Sequence, residues 1–279
     1  MMHREGTFAG CRGRNIFFQI WSPESSPKAL ILLAHGAGEH SSRYNHVASF
    51  FVARGYAIAA LDHNGHGRSE GVPGHVIAFD DYLQDLHTLQ NQFLEQFPGL
   101  PLFLLGHSLG GLIATQYLLK YQHDFAGGIL SGPAIMTALK PPAIQMMLIK
   151  TLAIIWPTLG ILQLDAAGVS RDPAVVHNYE QDPLVHHGKM SVRKLRELFA
   201  AMEDTQARSA EIQVPMLVLH GEQDTMAAPE GSRFLERALG STDKTVKLYP
   251  DLYHEILNEP EQAEVMNDIL RWCDRHCAA

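Results

Sequence analysis

The sequence has few cysteines, few charged residues and no long uninterrupted apolar run. Of its 279 residues, 3 are cysteine, 19% are charged and 46% are hydrophobic. The odd cysteine count provides no disulfide framework and suits a reducing compartment. No run of about 18 residues is free of polar or helix-breaking residues, so no membrane-spanning helix is expected. Residues 1–13 contain no apolar segment of the kind that signal peptides require, so none is expected there.

The charge balance is acidic. There are 22 basic and 30 acidic residues, which gives a formal net charge of −8 with histidine neutral. Because nucleic acids and anionic lipid surfaces are negatively charged, we expect neither nucleic acid as a partner nor purely electrostatic docking on a membrane. The length suits one large α/β domain or one domain with an insertion, and the apolar fraction suits a sizeable core.

One stretch combines a strand pattern, a glycine-rich turn and a helical pattern. An apolar run at 102–105 ends in Gly-His-Ser-Leu-Gly at 106–110, and apolar positions with helical spacing follow at once. Strand, sharp turn and helix are the context of a nucleophile elbow, in which Ser108 would be held in a strained geometry at the end of a sheet. Gly106 and Gly110 fit this turn because side chains there would collide across it. The sequence therefore predicts that Ser108 is a nucleophile.

A second match to Gly-x-Ser-x-Gly, at 67–71, serves as an internal comparison. It follows polar residues rather than an apolar run, and it leads into Val-Pro-Gly at 72–74, which cannot begin a helix. We expect this copy to be a loop.

Apolar runs typical of strands buried on both faces alternate with helical patterns along the chain. The strand patterns occupy 29–34, 56–61, 102–105, 127–130, 216–219 and 246–249, and the helical patterns occupy 44–54, 79–97, 109–121, 230–239 and 261–276. A hairpin is expected at 7–21. This alternation predicts an α/β fold with a mostly parallel central sheet flanked by helices.

The alternation breaks between residues 134 and 211. Prolines at 141–142, an apolar segment at 144–164 and a helical pattern at 192–202 replace it, and no buried strand is evident. We interpret 134–211 as a helical cap inserted into a core that consists of 1–133 and 212–279.

A serine nucleophile needs a histidine base, and chain order limits the candidates. In α/β-hydrolase sheets the order is serine, acid, histidine. After the strand pattern resumes, only His254 and His276 remain. His254 follows the strand pattern at 246–249 in a short loop, whereas His276 falls within the last helical pattern. We therefore predict His254 as the base.

The acid should follow the preceding strand. Asp224 comes just past the end of the strand pattern at 216–219, in a turn before a helix start. We prefer it to Glu222 and Asp251. Its predicted role is to fix the tautomer of His254 and to stabilise the imidazolium, without taking the proton itself.

Two backbone N–H groups are predicted to form the oxyanion hole. One belongs to Leu109, directly after the nucleophile, and the other to Ala37, in the glycine-containing loop at 35–38 that follows an earlier strand. We expect the side chain of His35 in this loop to hydrogen-bond neighbouring loops rather than to take part in catalysis.

Several motifs together resemble the monoacylglycerol lipases of the α/β-hydrolase fold. The resemblance covers nearly the whole chain, cap included, and rests on residues 35–44, 62–71, 106–110, 170–172, 182–184 and 253–254. The run Gly-Ala-Gly-Glu-His-Ser-x-Arg-Tyr within 35–44 is more specific than Gly-x-Ser-x-Gly. The resemblance implies a cytosolic or membrane-surface serine hydrolase that releases a fatty acid and glycerol.

The resemblance also implies a polar pocket for the glycerol head, shaped by Glu39 and Arg43. The alternative for this pair, four residues apart at a helix start, is a salt-bridged loop. Mammalian members of the family carry a second histidine three residues after the catalytic one, at the substrate-binding position that Leu257 occupies here. Lysophospholipase and broad carboxylesterase activities therefore stay open as alternatives.

The apolar segment at 144–164 permits a lipid substrate, independently of the resemblance. Exposed on a mobile cap, it would dock on a bilayer and line an acyl tunnel. The alternative is a cap helix packed on the sheet. Lys150 and Pro157 interrupt the segment, so we do not expect it to span a membrane.

The predicted chemistry needs no metal and no organic cofactor. The histidines at 63, 66, 186 and 187 lie in predicted loops without a carboxylate at ligand spacing, so a zinc site is not expected. An acyltransferase would have the same triad and differ only in the acceptor of the acyl group. A lipid-binding protein on a hydrolase scaffold is a remote alternative, because such proteins usually lack a member of the triad.

Overall fold

Strands and helices alternate along the chain as the sequence pattern predicts. The structure, a computed structural model, describes residues 1–137 and 142–277. The strands are β1 (Met2–Ala9), β2 (Asn15–Ser22), β3 (Ala29–Ala34), β4 (Tyr56–Leu61), β5 (Leu102–His107), β6 (Gly127–Ser131), β7 (Gly160–Leu162), β8 (Met190–Ser191), β9 (Met216–Gly221) and β10 (Lys244–Tyr249). The helices are α1 (Asn45–Val52), α2 (Asp80–Gln96), α3 (Leu109–Tyr121), α4 (Ala143–Ile155), α5 (Pro173–Gln181), α6 (Val192–Arg208), α7 (Pro229–Ala238) and α8 (Gln262–His276).

Eight of the described strands form one sheet in the order β1-β2-β4-β3-β5-β6-β9-β10. From β4 to β10 all neighbouring strands are parallel, while β2 pairs antiparallel with both β1 and β4. The predicted α/β class with a mostly parallel sheet is confirmed. Because the carboxyl ends of parallel strands meet at one edge, the loops after β3, β5, β9 and β10 come together there.

The central strands are buried on both faces, as their uninterrupted apolar runs predict. In β3, Leu30 and Leu32 face a core that includes side chains of α2, α3 and α7. Ile31 and Leu33 face a second core that includes side chains of α1 and α8. Successive strand residues point to opposite faces, so the apolar run fills both cores.

The first hairpin is longer than predicted. β1 begins at Met2 rather than at residue 7, and it pairs with β2 over eight residue positions. Its first four residues are exposed. Because these residues are exposed, they show no alternation of apolar and polar side chains. The sequence therefore does not indicate the first part of this edge strand.

The described part of the segment between β6 and β9 carries three α-helices and a short antiparallel pair of strands. β7 pairs with β8, a short strand pair that the sequence pattern does not reveal. These strands have three and two residues, too few for a periodic pattern. Of the predicted cap, residues 138–141, with Pro141 among them, lie outside the described residues.

The apolar segment at 144–164 divides between α4 and β7, and much of it faces outward. Ala153 is the buried residue of α4, which packs on α6. Ile144 and Ile154 are 77% and 76% exposed. The alternative of a cap helix packed on the sheet therefore does not describe α4. Across the two described ranges, each helix is too short or too polar to cross a bilayer.

Candidate active site

Ser108 sits in a strained turn between β5 and α3. Its φ is +54° and its ψ is −116°, a region that residues with a side chain rarely adopt. A Cβ at Gly106 would collide with the carbonyl oxygen of Gly110, and a Cβ at Gly110 would collide with that of Ala34. The two glycines therefore allow the close packing that holds the serine at the end of the sheet.

The loop after β10 brings His254 to this serine, and the loop after β9 brings Asp224 to His254. His254 Nε2 lies 2.8 Å from Ser108 Oγ, and His254 Nδ1 lies 2.6 Å from Asp224 Oδ2. His254 is buried. The structure thus unites the three predicted residues in one chain of hydrogen-bond contacts. His276 lies in α8, where Nδ1 contacts the carbonyl oxygen of Trp272.

Four groups contact the carboxylate of Asp224. Oδ1 accepts from the N–H groups of Met226 and Ala227 at 2.7 and 2.9 Å, while Oδ2 contacts His254 and, at 3.0 Å, His220 Nε2. Burial raises the pKa of Asp224, but the charge of His254 and the hydrogen bonds from both histidines outweigh burial and leave the pKa below its ordinary value. This carboxylate therefore stays ionised.

The pKa of His254 shifts in the opposite direction. Burial lowers the pKa of His254, but the charge and hydrogen bond of Asp224 outweigh it, and the pKa is raised above the ordinary histidine value. The ionised Asp224 thus favours the protonated imidazolium form of His254.

The two predicted oxyanion donors flank the serine. Leu109 is the first residue of α3, so its N–H has no acceptor within the helix. Ala37 belongs to the loop at 35–39, which approaches the elbow so closely that a Cβ on Gly36 would lie 3.2 Å from Ser108 Cβ. His35 Nδ1 contacts the carbonyl oxygen of Gly36 at 2.8 Å, and its Nε2 accepts from the N–H of His63 at 2.9 Å. His35 thus links two loops, as expected.

Comparisons with known proteins indicate the family of the chain. The profile of a family described as "Serine aminopeptidase, S33" matches residues 25–261. A monoacylglycerol lipase of Mycolicibacterium smegmatis is 39% identical, over 98% of this chain and 97% of the relative. The monoglyceride lipase of Homo sapiens is 33% identical, over 95% and 89%. The crystal structure of a monoacylglycerol lipase of Paleococcus ferrophilus superimposes with a TM-score of 0.82 at 32% identity, over 99% and 100% of the two chains.

The chain belongs to the monoacylglycerol lipase family of α/β-hydrolases. It is a carboxylic ester hydrolase, and the resemblance seen in the sequence motifs is confirmed.

Two of the three residues expected to shape the glycerol pocket of this family form a buried ion pair. Arg43 contacts Glu39 at 2.9 Å, and Glu39 is 2% exposed. The salt-bridged alternative therefore describes their contacts, although Glu39 also borders the cavity over Ser108. Leu257 does not reach that cavity: it is 2% exposed and packs with the apolar side chains of α8 in the second core.

The cavity over Ser108 has a volume of about 10 Å³. It is bordered by residues of the core and the cap, namely Gly36, Ala37, Glu39, His107, Ser108, Leu164, Val169, Tyr179, Met226, His254 and Glu255. The ring of His107 lies 4.8 Å from that of His254, and burial together with the charge of His254 lowers the pKa of His107 to about 4. This histidine is therefore neutral at neutral pH.

Sequence reasoning missed His220, Glu255 and Tyr179. Arg43 makes two contacts with Glu255, at 2.6 and 2.8 Å, and its guanidinium lies 4.8 Å from the centre of the Tyr179 ring. A histidine four residues before the acid, at the end of the same strand, is the signal that could have indicated His220. Glu255 follows His254 directly, but its contact with Arg43 spans 212 positions and leaves no local signal.

No three His, Cys, Asp or Glu side chains converge on a metal-binding geometry in residues 1–137 and 142–277. His63 and His66 instead pack against His35 and Tyr82, with the His35 and His63 rings 4.3 Å apart. The second Gly-x-Ser-x-Gly copy lies in a loop, where Ser69 Oγ donates to the carbonyl oxygen of Asp62.

Proposed function

We propose that this protein hydrolyses monoacylglycerols to a fatty acid and glycerol, with Ser108 as nucleophile, His254 as base and Asp224 as the orienting acid. One observation carries the proposal: the contacts of 2.8 and 2.6 Å that join these three residues at the elbow of a chain related over its whole length to monoacylglycerol lipases. The site then needs only the ester itself and water.

The geometry supports an acyl-enzyme mechanism. His254 Nε2 takes the proton of Ser108 as Oγ attacks the ester carbonyl, and Asp224 stabilises the imidazolium. The N–H groups of Ala37 and Leu109 would donate to the oxyanion, a role in which one lost donor typically costs about 10²–10³ in rate. The imidazolium gives its proton to the leaving alcohol. His254 then deprotonates a water that attacks the acyl-enzyme and releases the acid.

Ester hydrolysis fits the pocket better than the peptidase activity that the family description names. An aminopeptidase must hold the ammonium group of its substrate, which requires carboxylate oxygens that are free to contact it. The two carboxylates that border the cavity, Glu39 and Glu255, both pair with Arg43. They can accept hydrogen bonds from the hydroxyls of a neutral alcohol, which supports a glycerol ester.

Binding of a long acyl chain requires a change in the cap. Pockets for small molecules span about 300–1,000 Å³, far more than the cavity over Ser108. Leu164, Val169 and Tyr179 of the cap close that cavity from above, together with Met226. We propose that these cap side chains separate from the core when substrate enters, so that Leu164 and Val169 line the acyl chain.

The exposed apolar residues of the cap support peripheral contact with a lipid surface. We call this set the apolar cap surface, and it consists of Ile144, Met147, Leu148, Ile154, Ile155, Trp156, Ile161 and Leu162. Exposed apolar patches of this kind mark interaction sites, and insertion into lipid would bury them where the substrate resides. The cytosolic location that the sequence motifs imply stays a prediction.

The decisive experiment is a substrate series. Glycerol and fatty acid release from a long-chain monoacylglycerol is compared with turnover of the matching di- and triacylglycerols, a lysophospholipid and a short p-nitrophenyl ester, with Ser108→Ala as control. We expect a clear preference for the monoacylglycerol and loss of all activity in the variant. Preference for the lysophospholipid or the short ester would contradict the substrate, and activity that survives Ser108→Ala would contradict the mechanism. A fluorophosphonate probe that fails to label Ser108 would favour a binding protein.

A further inference from the structure

The candidate active site depends on loops that are distant in sequence, and one largely buried side chain, which is 11% exposed, joins two of them. Residues 35–39, here the oxyanion loop, carry the N–H of Ala37, and residues 251–255, here the histidine loop, carry His254. The guanidinium of Arg43 lies between them. Its Nη1 contacts Glu39 at 2.9 Å, and Nη1 and Nη2 contact the two oxygens of Glu255 at 2.6 and 2.8 Å.

Glu39 connects Arg43 to the oxyanion loop. Its Oε1 accepts from the backbone N–H of Gly36, next to Ala37, and from the hydroxyl of Tyr44 at 2.7 Å. Burial raises the pKa of Glu39, but Arg43 and the neighbouring donors lower it to about 2. The carboxylate is therefore ionised and holds both the loop and the guanidinium.

Glu255 connects Arg43 to the histidine loop. It follows His254 directly, its backbone N–H donates to the carbonyl oxygen of Val169 at 2.8 Å, and its carboxylate accepts from Asn258 Nδ2 at 2.9 Å. Two bonds from a planar guanidinium fix both the distance and the orientation of a carboxylate, which one ammonium group cannot do.

We infer that Arg43, with Glu39 and Glu255, is a positioning bridge that holds the oxyanion loop and the histidine loop at the separation that one tetrahedral intermediate requires, whatever alcohol the ester carries. This inference rests on the proposed triad mechanism. A positioning role differs from glycerol recognition. The bridge acts on the Ala37 N–H and on His254, which contact every ester substrate during the proposed reaction. A misplacement of 1 Å in such a site can cost about 10² in rate.

Two substrates separate the two roles. Arg43→Lys and Arg43→Gln are compared with wild type on a monoacylglycerol and on p-nitrophenyl acetate, which has no glycerol. We expect kcat to fall by the same factor on both esters, about tenfold for lysine and about 10² for glutamine, with KM within about twofold. The affinity for an alkyl trifluoromethyl ketone, whose serine adduct places an oxyanion in the hole, should fall in parallel with kcat/KM.

The matched control is Arg12→Gln. Arg12 also pairs with a buried carboxylate, that of Asp81, but in the β1–β2 turn away from the site. We expect wild-type kcat there. A loss in the Arg43 variants that is confined to the monoacylglycerol and appears as a raised KM would overturn the inference in favour of glycerol binding, and an unchanged kcat would overturn it outright. Wild-type enzyme that cleaves p-nitrophenyl acetate but no monoacylglycerol would contradict the proposed function alone.

A pH profile adds a readout that a purely structural loss would not move, and Glu255→Gln keeps the test available if Arg43→Gln does not fold. The charged and titratable groups around His254 are Asp224, Glu255, Glu39, Arg43 and His107. Because Glu255 helps to raise the pKa of His254, the acidic limb of kcat/KM should move to lower pH in Glu255→Gln. Arg43→Gln removes the positive charge that offsets Glu39 and Glu255. Both carboxylates then raise the pKa of His254 further, and the acidic limb of kcat/KM should move to higher pH. Identical limbs in wild type and both variants would contradict the bridge.

Discussion

The core and the cap place their apolar side chains in opposite ways. Every residue of β3, β4 and β5 is buried, whereas in α4 of the cap Ala153 is buried and large apolar side chains such as Ile144 and Ile154 face outward. A core that fixes catalytic groups needs dense packing, since misplaced groups lose activity. An apolar helix face that is exposed to water does not contribute to such packing. The difference fits a core that is packed for internal fit, and it is consistent with the proposal that α4 contacts a lipid surface.

The interface between the core and the cap contains a buried lysine. Lys194 of α6 is 1% exposed, and its Nζ lies 3.2 Å from Nε2 of His66, which belongs to a core loop. Burial lowers the pKa of Lys194 to about 7. The cap therefore rests on the core through a polar contact whose charge changes near neutral pH.

The largest expected effect comes from a substitution in the core, which tests the contrast between core and cap. Asp224→Asn should lower kcat by about 10⁴, because the amide favours the wrong tautomer of His254. Hydrolysis of a short p-nitrophenyl ester measures it without any contribution from the cap surface. The matched control is Asp251→Asn, which changes an exposed aspartate of the neighbouring loop and should leave kcat unchanged. If Asp251→Asn is the variant that loses activity, the acid has been assigned to the wrong loop.

The core could be predicted from the sequence because it obeys local rules. Continuous apolar runs give β3 and β4, and the elbow motif marks Ser108 because strand, turn and helix are contiguous. Chain order then places Asp224 and His254. Each of these inferences needs only residues that are close together in sequence or elements that follow one another.

The remainder depends on contacts that no local pattern encodes. The contact of Arg43 with Glu255 joins positions 212 apart, and β7 and β8 are too short for periodicity. Leu257 was expected at the substrate, yet its apolar side chain is better accommodated in the second core. The exposure of α4 could not be decided either, because an apolar helix has the same composition whether it packs on protein or on lipid.

The second prediction concerns Lys194, at the interface between the core and the cap. An unfolded lysine titrates near pH 10.4, so between about pH 7 and pH 10 the unfolded chain binds a proton that folded Lys194 does not. The stability of wild type should therefore rise with pH across this window relative to Lys194→Met, by roughly 3 kcal/mol from pH 7 to 9.5. Urea unfolding at several pH values measures the difference. Lys189→Met, at an exposed position of the cap, is the control. Parallel pH dependences of wild type and Lys194→Met would show that Lys194 is charged in the folded protein.

A smaller effect is expected on the apolar cap surface. Ile154→Ser combined with Trp156→Ser should reduce vesicle binding and the turnover of monoacylglycerol in vesicles by about tenfold, since each side chain loses apolar contact with lipid. Turnover of a water-soluble ester should not change. Val72→Ser removes an apolar side chain that is exposed on a core loop and serves as control. An equal loss on both substrates would mean that these residues support the fold rather than lipid contact.

The smallest effect separates a buried histidine of the core from an exposed histidine of the cap. His220 contributes one of the four contacts to the Asp224 carboxylate, and its Nδ1 lies 2.7 Å from Ser232 Oγ. A hydrogen bond to a charged group is worth about 1.5–3 kcal/mol. Because the glutamine amide can donate in place of His220 and the backbone N–H groups of Met226 and Ala227 still hold the carboxylate, we expect His220→Gln to lower kcat on the short ester by only about three- to tenfold. His187→Gln, on the exposed side of the cap, should leave kcat unchanged. A loss near that of Asp224→Asn would make His220 essential to the orientation of the acid, whereas no loss would leave the two backbone N–H groups sufficient to hold it.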